Sequence, residues 1–354
     1  RPVVYVTSSS TRYTSFYAIT DDGRCWSWGQ NDYGQLGNGN TTDQNTNPVE
    51  MTAQSGSGLL NKKVVHIMSS DGNSNVIRTY FLTTEGKVYM CGNNENYGNN
   101  SGLISSSSSV NITLPAELTD AATTINSDGQ KVVSMYIGGG RYSVQYFITD
   151  GGNSGESASK VYACGYQTAG EMGTGSDLAD GNAAGNWRLK EIEFDSGPEI
   201  MMIAHNSTQV TGTKSTFDSG GSNQNRMKIG RIVKVMECGH GSNGTFPVMA
   251  LDEFGQVYGC GQWANYSPIG YYNNDDHIDF NGSNNYSTRF VKIYQQPEPF
   301  IDITFVNRTT EDEVAYAGIT RSGKLYLGGY AGWQLLGNIS TYSMHAFVCP
   351  IGLD

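Results

Sequence analysis

The six cysteines and five histidines are the residues of this 354-residue chain best suited to metal or nucleophilic chemistry. Their spacing argues against both. His66, His205, His240, His277 and His345 stand apart, with no His-x-x-x-His or Cys-x-x-Cys company that would gather four ligands on one ion. Cys91, Cys164 and Cys260 each precede a glycine at the end of a similar apolar run. Cys25 sits where other runs carry Val88, Val161 and Val257. These cysteines read as small core residues. Equivalent positions of separate repeat units should lie too far apart for the roughly 4.4–6.8 Å Cα spacing of a disulfide. Cys238 and Cys349 complete an even count without suggesting a disulfide framework. The acidic stretch 275–282 would begin a calcium loop at His277, and its twelfth position is Thr288 instead of glutamate, so the EF-hand reading fails. There is no Gly-x-Ser-x-Gly elbow, phosphate loop or dinucleotide fingerprint, and the run Gly138-Gly139-Gly140 reads as a turn. The expectation is a protein that is not an enzyme and has no cofactor or metal.

Binding chemistry is better represented. Trp187, Trp263, Tyr271, Tyr272 and Tyr286 lie in polar, Asn- and Ser-rich loops. Aromatic rings there offer rigid contact area with a polar handle, suited to protein or sugar. They are the candidate binding residues. Asn40 and Asn111 are among ten asparagines that begin Asn-x-Ser/Thr triplets, which carry glycans only in a eukaryotic secreted protein.

The elements that must position these loops repeat. Five segments share an apolar run, a polar turn with glycine, and a second apolar run closed by glycine. The first is Tyr17-Ala18-Ile19-Thr20-Asp21-Asp22-Gly23-Arg24-Cys25-Trp26-Ser27-Trp28-Gly29, and the fourth runs from Met249 through Glu253-Phe254-Gly255 to Gly261. The others end at Gly92, Gly165 and Gly329. Glycine after two polar residues supplies the positive φ of a tight turn, so each segment predicts a β-hairpin. A further apolar run precedes each hairpin, at 3–6, 64–67, 132–136, 232–236 and 300–305. A glycine-bearing loop follows, and a later piece such as Ile192-Glu193-Phe194 closes the unit. Tyr89, Tyr162, Tyr258, Tyr326 and Trp26 share one position and read as packing between units. Three to four short antiparallel strands per unit predict an all-β chain, a β-propeller with about five blades. The units span about 3–50, 63–118, 131–195, 231–294 and 300–350 of a single domain, 1–354, with an insertion at 196–230.

Gly29-Gln30-Asn31-Asp32-Tyr33-Gly34-Gln35-Leu36-Gly37, after Trp26-Ser27-Trp28, resembles the signature of the regulator of chromosome condensation repeat family. Gly239-His240 is similar to the segment that precedes the hairpin in that family. The resemblance touches all five units. It implies a propeller, usually seven-bladed, that serves mainly as a scaffold for binding. The departures are the five units and their long inserted loops.

Charge narrows the partners. With 22 Lys and Arg against 33 Asp and Glu, the net charge is −11, which disfavours a nucleic-acid backbone as ligand. No apolar run reaches the roughly 18 residues of a membrane span. Tyrosine, at 22, outnumbers the 12 Phe and 5 Trp together. This uncharged, tyrosine-rich composition, and an opening that reads as the middle of a longer polypeptide, suggest a recognition or structural module of an extracellular or virion appendage such as a phage tail fibre. It would contact protein or glycan on a host or neighbouring surface, within a larger assembly. The alternative is a cytoplasmic protein-binding regulator of the nucleotide-exchange-factor type, which the unpaired cysteines favour.

Overall fold

The structure, a computed structural model, describes residues 1–9, 14–70, 77–93, 111–118, 125, 129–138, 144–152, 159–165, 170–174, 189–192, 194, 230–238, 247–262, 286–293, 298–306, 315–329 and 344–348. Among them lie five four-stranded antiparallel sheets, the blades of a β-propeller. The first blade joins β1 (Val3–Ser8), β2 (Ser15–Thr20), β3 (Cys25–Gly29) and β4 (Gln44–Glu50), followed by a 3₁₀ turn at Met51–Ala53. The second joins β5 (Val64–Ser69), β6 (Arg78–Thr83), β7 (Val88–Asn93) and β8 (Asn111–Glu117). The third joins β9 (Val132–Ile137), β10 (Val144–Thr149), β11 (Val161–Gly165) and β12 (Lys190–Glu191). The fourth joins β13 (Ile232–Glu237), β14 (Pro247–Asp252), β15 (Val257–Gln262) and β16 (Tyr286–Lys292). The fifth joins β17 (Phe300–Val306), β18 (Ala315–Thr320), β19 (Leu325–Gly329) and β20 (Met344–Val348). The all-β class and the five blades expected from the repeats are borne out.

The chain divides into two compact units. One holds residues 1–168, 178–191 and 239–244, with the first three blades. The other holds 169–177, 192–238 and 245–354, with the last two.

One local device builds the hairpins. In four blades the second strand ends in threonine, whose hydroxyl donates across the turn to the carbonyl of Arg24, Lys87, Lys160 or Lys324, at 3.2–3.3 Å. The turn glycine must be glycine: at Gly23 φ is +85°, and a Cβ would stand 2.8 Å from Cβ of Lys63. The cation after the glycine pairs with a glutamate ending the fourth strand. These pairs are Arg24–Glu50 at 3.5 Å, Lys87–Glu117 at 3.0 Å and Lys160–Glu191 at 2.8 Å. The fourth blade departs from this pattern. Asp252 replaces the threonine, and its carboxylate accepts the backbone N–H of Phe254 and Gln256 and the Tyr258 hydroxyl at 2.7–3.0 Å.

Blades stack through side chains of alternating faces. The leading face of the first blade (Tyr17, Ile19, Cys25, with Met51 and Leu59) packs on the trailing face of the second (Val64, Ile67, Phe81, Tyr89, Cys91). The same slots join the second to the third, with Tyr80, Leu82, Val88 and Met90 against Met135, Phe147, Tyr162 and Cys164. They also join the fourth to the fifth, with Met249, Leu251 and Val257 against Phe300, Ile303, Tyr316 and Tyr326. Each such side chain, fully buried, is worth about 1.5–3 kcal/mol of transfer free energy. Stacking of blades is therefore the main source of cohesion.

A glycine loop after the hairpin clamps the next blade. The Gln35 carbonyl, inside Gly34-Gln35-Leu36-Gly37, accepts both the Tyr17 hydroxyl and the Cys91 thiol at 3.1 Å. Buried Asn31 ties the loop together, donating to Asn38 and the Asn40 carbonyl and accepting the Leu36 N–H. In the second unit Gly170-Glu171-Met172-Gly173 repeats this clamp, and the Glu171 carbonyl accepts the Cys260 thiol at 3.6 Å. The repeat reading expected a glycine-bearing loop after each hairpin and did not single out this one. It also placed a closing strand at Ile192–Phe194, whereas the closing strand is Lys190–Glu191. Phe194 instead bridges to Phe290 and packs on Tyr258 with ring centroids 5.1 Å apart.

Candidate protein-contact surface

The first strand of each blade meets the first and second strands of the blade before it: β5 lies on β1 and β2, β9 on β5 and β6, and β17 on β13 and β14. In a propeller, equivalent strands of successive blades approach one another most closely near the axis. The first strands are therefore the inner edges of their blades.

Each of these five edges carries the same irregularity. Val3 pairs with Thr20 and Tyr5 with Ile19, so Val4 is skipped. Val65, Val133, Val233 and Ile301 are skipped in the same way. These are β-bulges, in which an extra residue leaves the ladder and re-aims its side chain. All five bulge residues are β-branched and apolar, and all are 41–63% exposed. Apolar residues scattered singly on a surface need no explanation, but a repeated, aligned set does. A bulge also blunts the edge against pairing with another strand, so the row offers side chains and not backbone.

In each unit a residue that follows a bulge ties neighbouring inner strands together. The Tyr5 hydroxyl donates to the Ile67 carbonyl at 3.0 Å, and its ring meets His66 edge-on at 5.5 Å. Lys234 occupies the same position in the second unit. Its ammonium donates to the equivalent carbonyl, Ile303, at 2.8 Å and to Asp302 at 2.7 Å. Partial burial lowers the His66 pKa and so disfavours its cation. In each unit these ties hold the row at a fixed spacing.

The thiols have no place in this surface. Cys25, Cys91, Cys164, Cys238 and Cys260 are buried thiols. Burial pushes Cys238 up to about 12 and Cys25, Cys91 and Cys260 well above the ordinary thiol range. A thiol with so little thiolate is neither nucleophile nor ligand. The small-core reading of the cysteines therefore holds. Among the described residues no three His, Cys, Asp or Glu side chains gather as a metal site.

Of the aromatic candidates, Trp187, Trp263, Tyr271 and Tyr272 lie outside the described residues. Tyr286 is the first residue of β16, where its backbone pairs with Gln262; its side chain is likewise outside the description. The acidic stretch 275–282 is outside it too. The bulge row was not recognised as a surface from sequence, although its signal was present: a β-branched residue in the second place of each leading run. Trp26, expected to pack between blades like its tyrosine equivalents, is only half-buried. It lies beneath the Arg24 guanidinium, 6.0 Å from the ring centroid.

Residues 22–77 match the sequence model of the Regulator of chromosome condensation (RCC1) repeat. The matched stretch starts in one blade's hairpin turn and ends just before the second strand of the next, so the sequence repeat straddles the blade boundary. Human WBSCR16 is similar in structure, with TM-score 0.55 and 17% identity over 98% of this chain and 67% of that one. Yeast RCC1 (Prp20), solved bound to Kap60, has TM-score 0.46 and 13% identity over 98% of this chain and 74% of its own. The resemblance read from the sequence is borne out: the chain is a β-propeller with a repeat of this type at residues 22–77.

Proposed function

We propose that this propeller is a non-catalytic, intracellular protein-binding module that meets its partner through the aliphatic row on its inner strands. The observation that carries the reading is the recurrence of an exposed Val or Ile at the bulge of all five first strands. Nothing in hairpin or blade packing calls for an apolar residue there, and a polar one would serve the bulge equally well. Five buried cysteines kept as thiols support a reducing compartment, where disulfides seldom persist. The appendage reading, with a glycan or host surface as ligand, rests on composition and on how the sequence opens, and no structural neighbour supports it. An aliphatic row is also poorly suited to sugar hydroxyls. The regulator reading is therefore the better supported, and its nucleotide-exchange form remains one specific version of it.

The test is site-specific photo-cross-linking in cells of the source organism. A photo-reactive residue at Val65 or Val133 should yield discrete protein adducts, and one at exposed Glu85 on the hairpin turn should not. Equal labelling at all three sites, or none, defeats the proposal. Stimulated release of labelled nucleotide from a small GTPase would sharpen it to the exchange-factor form.

A further inference from the structure

Beside the bulge, two inner strands of the first unit share a second feature. In the second and third blades the residue two places before the bulge is lysine, giving Lys63-Val64-Val65 and Lys131-Val132-Val133. Side chains alternate along a strand, so the lysine shares the outward side with the bulge residue. The burial agrees: in both triplets the middle valine is buried and its two neighbours are exposed. The backbone holds both lysines alike. The Lys63 carbonyl accepts the Thr84 N–H, and the Val64 N–H donates to the Gly23 carbonyl of the first blade, each at 2.9 Å. The Lys131 carbonyl accepts the Asp150 N–H at 2.9 Å, and the Val132 N–H donates to the Gly86 carbonyl of the second blade at 3.0 Å. At Gly23 and Gly86 a Cβ would run into the Cβ of Lys63 and of Lys131 respectively. Each lysine stem is thus seated on the turn glycine of the preceding blade, next to the aliphatic row. In the second unit Arg231 takes the same place before Val233.

Charge sets these two lysines apart. Other cations near the turns of the first unit have a carboxylate of their own. Arg24 meets Asp22 and Glu50, Lys62 meets Glu85, Lys87 meets Glu117 and Lys160 meets Glu191, all at 2.8–3.5 Å. Arg231 likewise has Glu253 at 3.8 Å. Among the described residues, no carboxylate lies within ion-pair distance of the ammonium of Lys63 or Lys131. The acids of the neighbouring turns are engaged elsewhere: Asp22 also meets Arg1 at 3.5 Å, and Asp150 accepts the N–H groups of Lys131 and Gly152 at 2.9 Å. Asp21, exposed in the first turn, is the acid left without a described cation. A single unpaired surface lysine is ordinary. Two at equivalent places, each beside an exposed valine of the row, repeat as a unit.

We propose that the row of the second and third blades receives a segment of another protein in which carboxylates stand next to aliphatic side chains. Val65 and Val133 take the aliphatic groups, and Lys63 and Lys131 take the carboxylates. The inference rests on the reading of the row as a contact surface and adds the chemical class of its partner. Exposed charges of this kind select and steer a partner more than they add affinity. A basic segment would meet two like charges and is selected against.

The experiment uses the full chain with a photo-reactive residue at Val65 or at Val133, cross-linked in extract of the source organism at roughly 0.05 M and roughly 0.5 M salt. Mass spectrometry then sequences the captured segment, which should be rich in Asp and Glu beside aliphatic residues. Replacing both lysines, Lys63→Gln with Lys131→Gln, should lower the adduct yield about three- to tenfold at the lower salt, the range of two exposed ion pairs. The higher salt should remove most of that difference. Lys62→Gln, whose charge serves Glu85, should change the yield far less. Undiminished adducts in the double lysine variant, or a captured segment without acidic residues, overturn the acidic class and leave the row itself standing. Adducts at neither position in any background overturn the row and this inference together. A captured segment from the same polypeptide overturns the inference as well.

Discussion

The first and second blades are built alike and end differently. Their closing glycines have nearly the same φ, +107° at Gly29 and +105° at Gly92, and a Cβ would meet a backbone carbonyl at 2.4 and 2.2 Å respectively. Both carry the bulge, the threonine-capped turn and the cation–glutamate pair. Yet the trailing face of the second blade is sealed by the first, and that of the first is open. The frame of a blade is therefore set by its own sequence, whereas the side chains of its faces report what lies next door. Thr79 meets a tyrosine hydroxyl from the first blade, whereas Phe16 in the same slot is 40% exposed.

Substituting the same slot in both blades tests this most directly. Ile67 is buried in the seam and Val6 is not. Ile67→Ala should cost about 2–5 kcal/mol of stability, lost transfer energy plus a cavity. Val6→Ala should stay within about 0.5 kcal/mol, as surface changes do. Urea unfolding of the two variants at low concentration reads both values. Equal losses would mean that the first blade's face is covered after all.

The thiol slot offers a second comparison. Cys91 is buried, and both burial and the neighbouring Cys25 raise its pKa far above the ordinary thiol value. A Trp28→Cys variant places a thiol in the equivalent slot on the open face. Under native conditions the new thiol should react with iodoacetamide at a rate near that of a free peptide, with Cys91 protected roughly a hundredfold or more, since its reaction waits on local opening. Mass spectrometry of the labelled peptides tells them apart. Comparable labelling would erase the distinction between the two faces.

The hairpins, their glycines and the number of blades were legible in the sequence because each depends on residues a few positions apart. Gly23, Gly86, Gly255 and Gly323 mark turns by local φ alone. The clamp at Gly170–Gly173 was hidden because Glu171 and Met172 stand for Gln35 and Leu36. Its value lies in a carbonyl and a buried side chain, which no residue type announces. The bulge row was hidden for a related reason. An apolar residue in an apolar run reads as core, and only the register shows that Val4 and its equivalents leave the ladder. The openness of the first trailing face is a non-local property. Trp26 and Tyr89 hold the same slot, and sequence alone assigns both to packing.

A smaller effect probes the seam between these two blades from its other side. The Tyr17 hydroxyl, fully buried, meets Thr79 and the Gln35 carbonyl. Burial, with Cys91 nearby, raises its pKa far above the ordinary phenol value, so it is a neutral donor at any physiological pH. Tyr17→Phe keeps the ring's packing on Phe81 and removes only these bonds. The expected loss is about 1 kcal/mol, with the Gln35 carbonyl left to the Cys91 thiol. Phe16→Ala on the open face should change stability less in the monomer. A Tyr17→Phe loss as large as that of Ile67→Ala would mean that the seam depends on its polar contacts more than on its apolar ones.

The smallest effect concerns acid. Asp22 and Glu85 hold equivalent places in the two hairpin turns. Asp22 is held at about 2 first by its hydrogen bond from Thr20, at 2.6 Å, and further by Arg24. Glu85 is lowered chiefly by its hydrogen bond from Lys62, at 2.9 Å. A carboxylate whose folded pKa lies below its unfolded value contributes stability above that unfolded value. The contribution fades as pH falls through the folded one. For Asp22 the window runs from about pH 4 down to about 2. Asp22→Asn should therefore lower the thermal midpoint slightly at pH 5, converge with the unmodified protein near pH 2, and respond to Thr20→Val in the same range. Glu85 is exposed and Asp22 half-buried, so salt should shrink the Lys62-dependent part at Glu85 more than the Thr20-dependent part at Asp22. That contrast separates a turn stabilised by its own hydroxyl from one stabilised by a charge borrowed from the segment before β5. If salt affects both equally, the two hairpins share one mechanism, and the likeness of the blades extends further than their hydrogen bonds indicate.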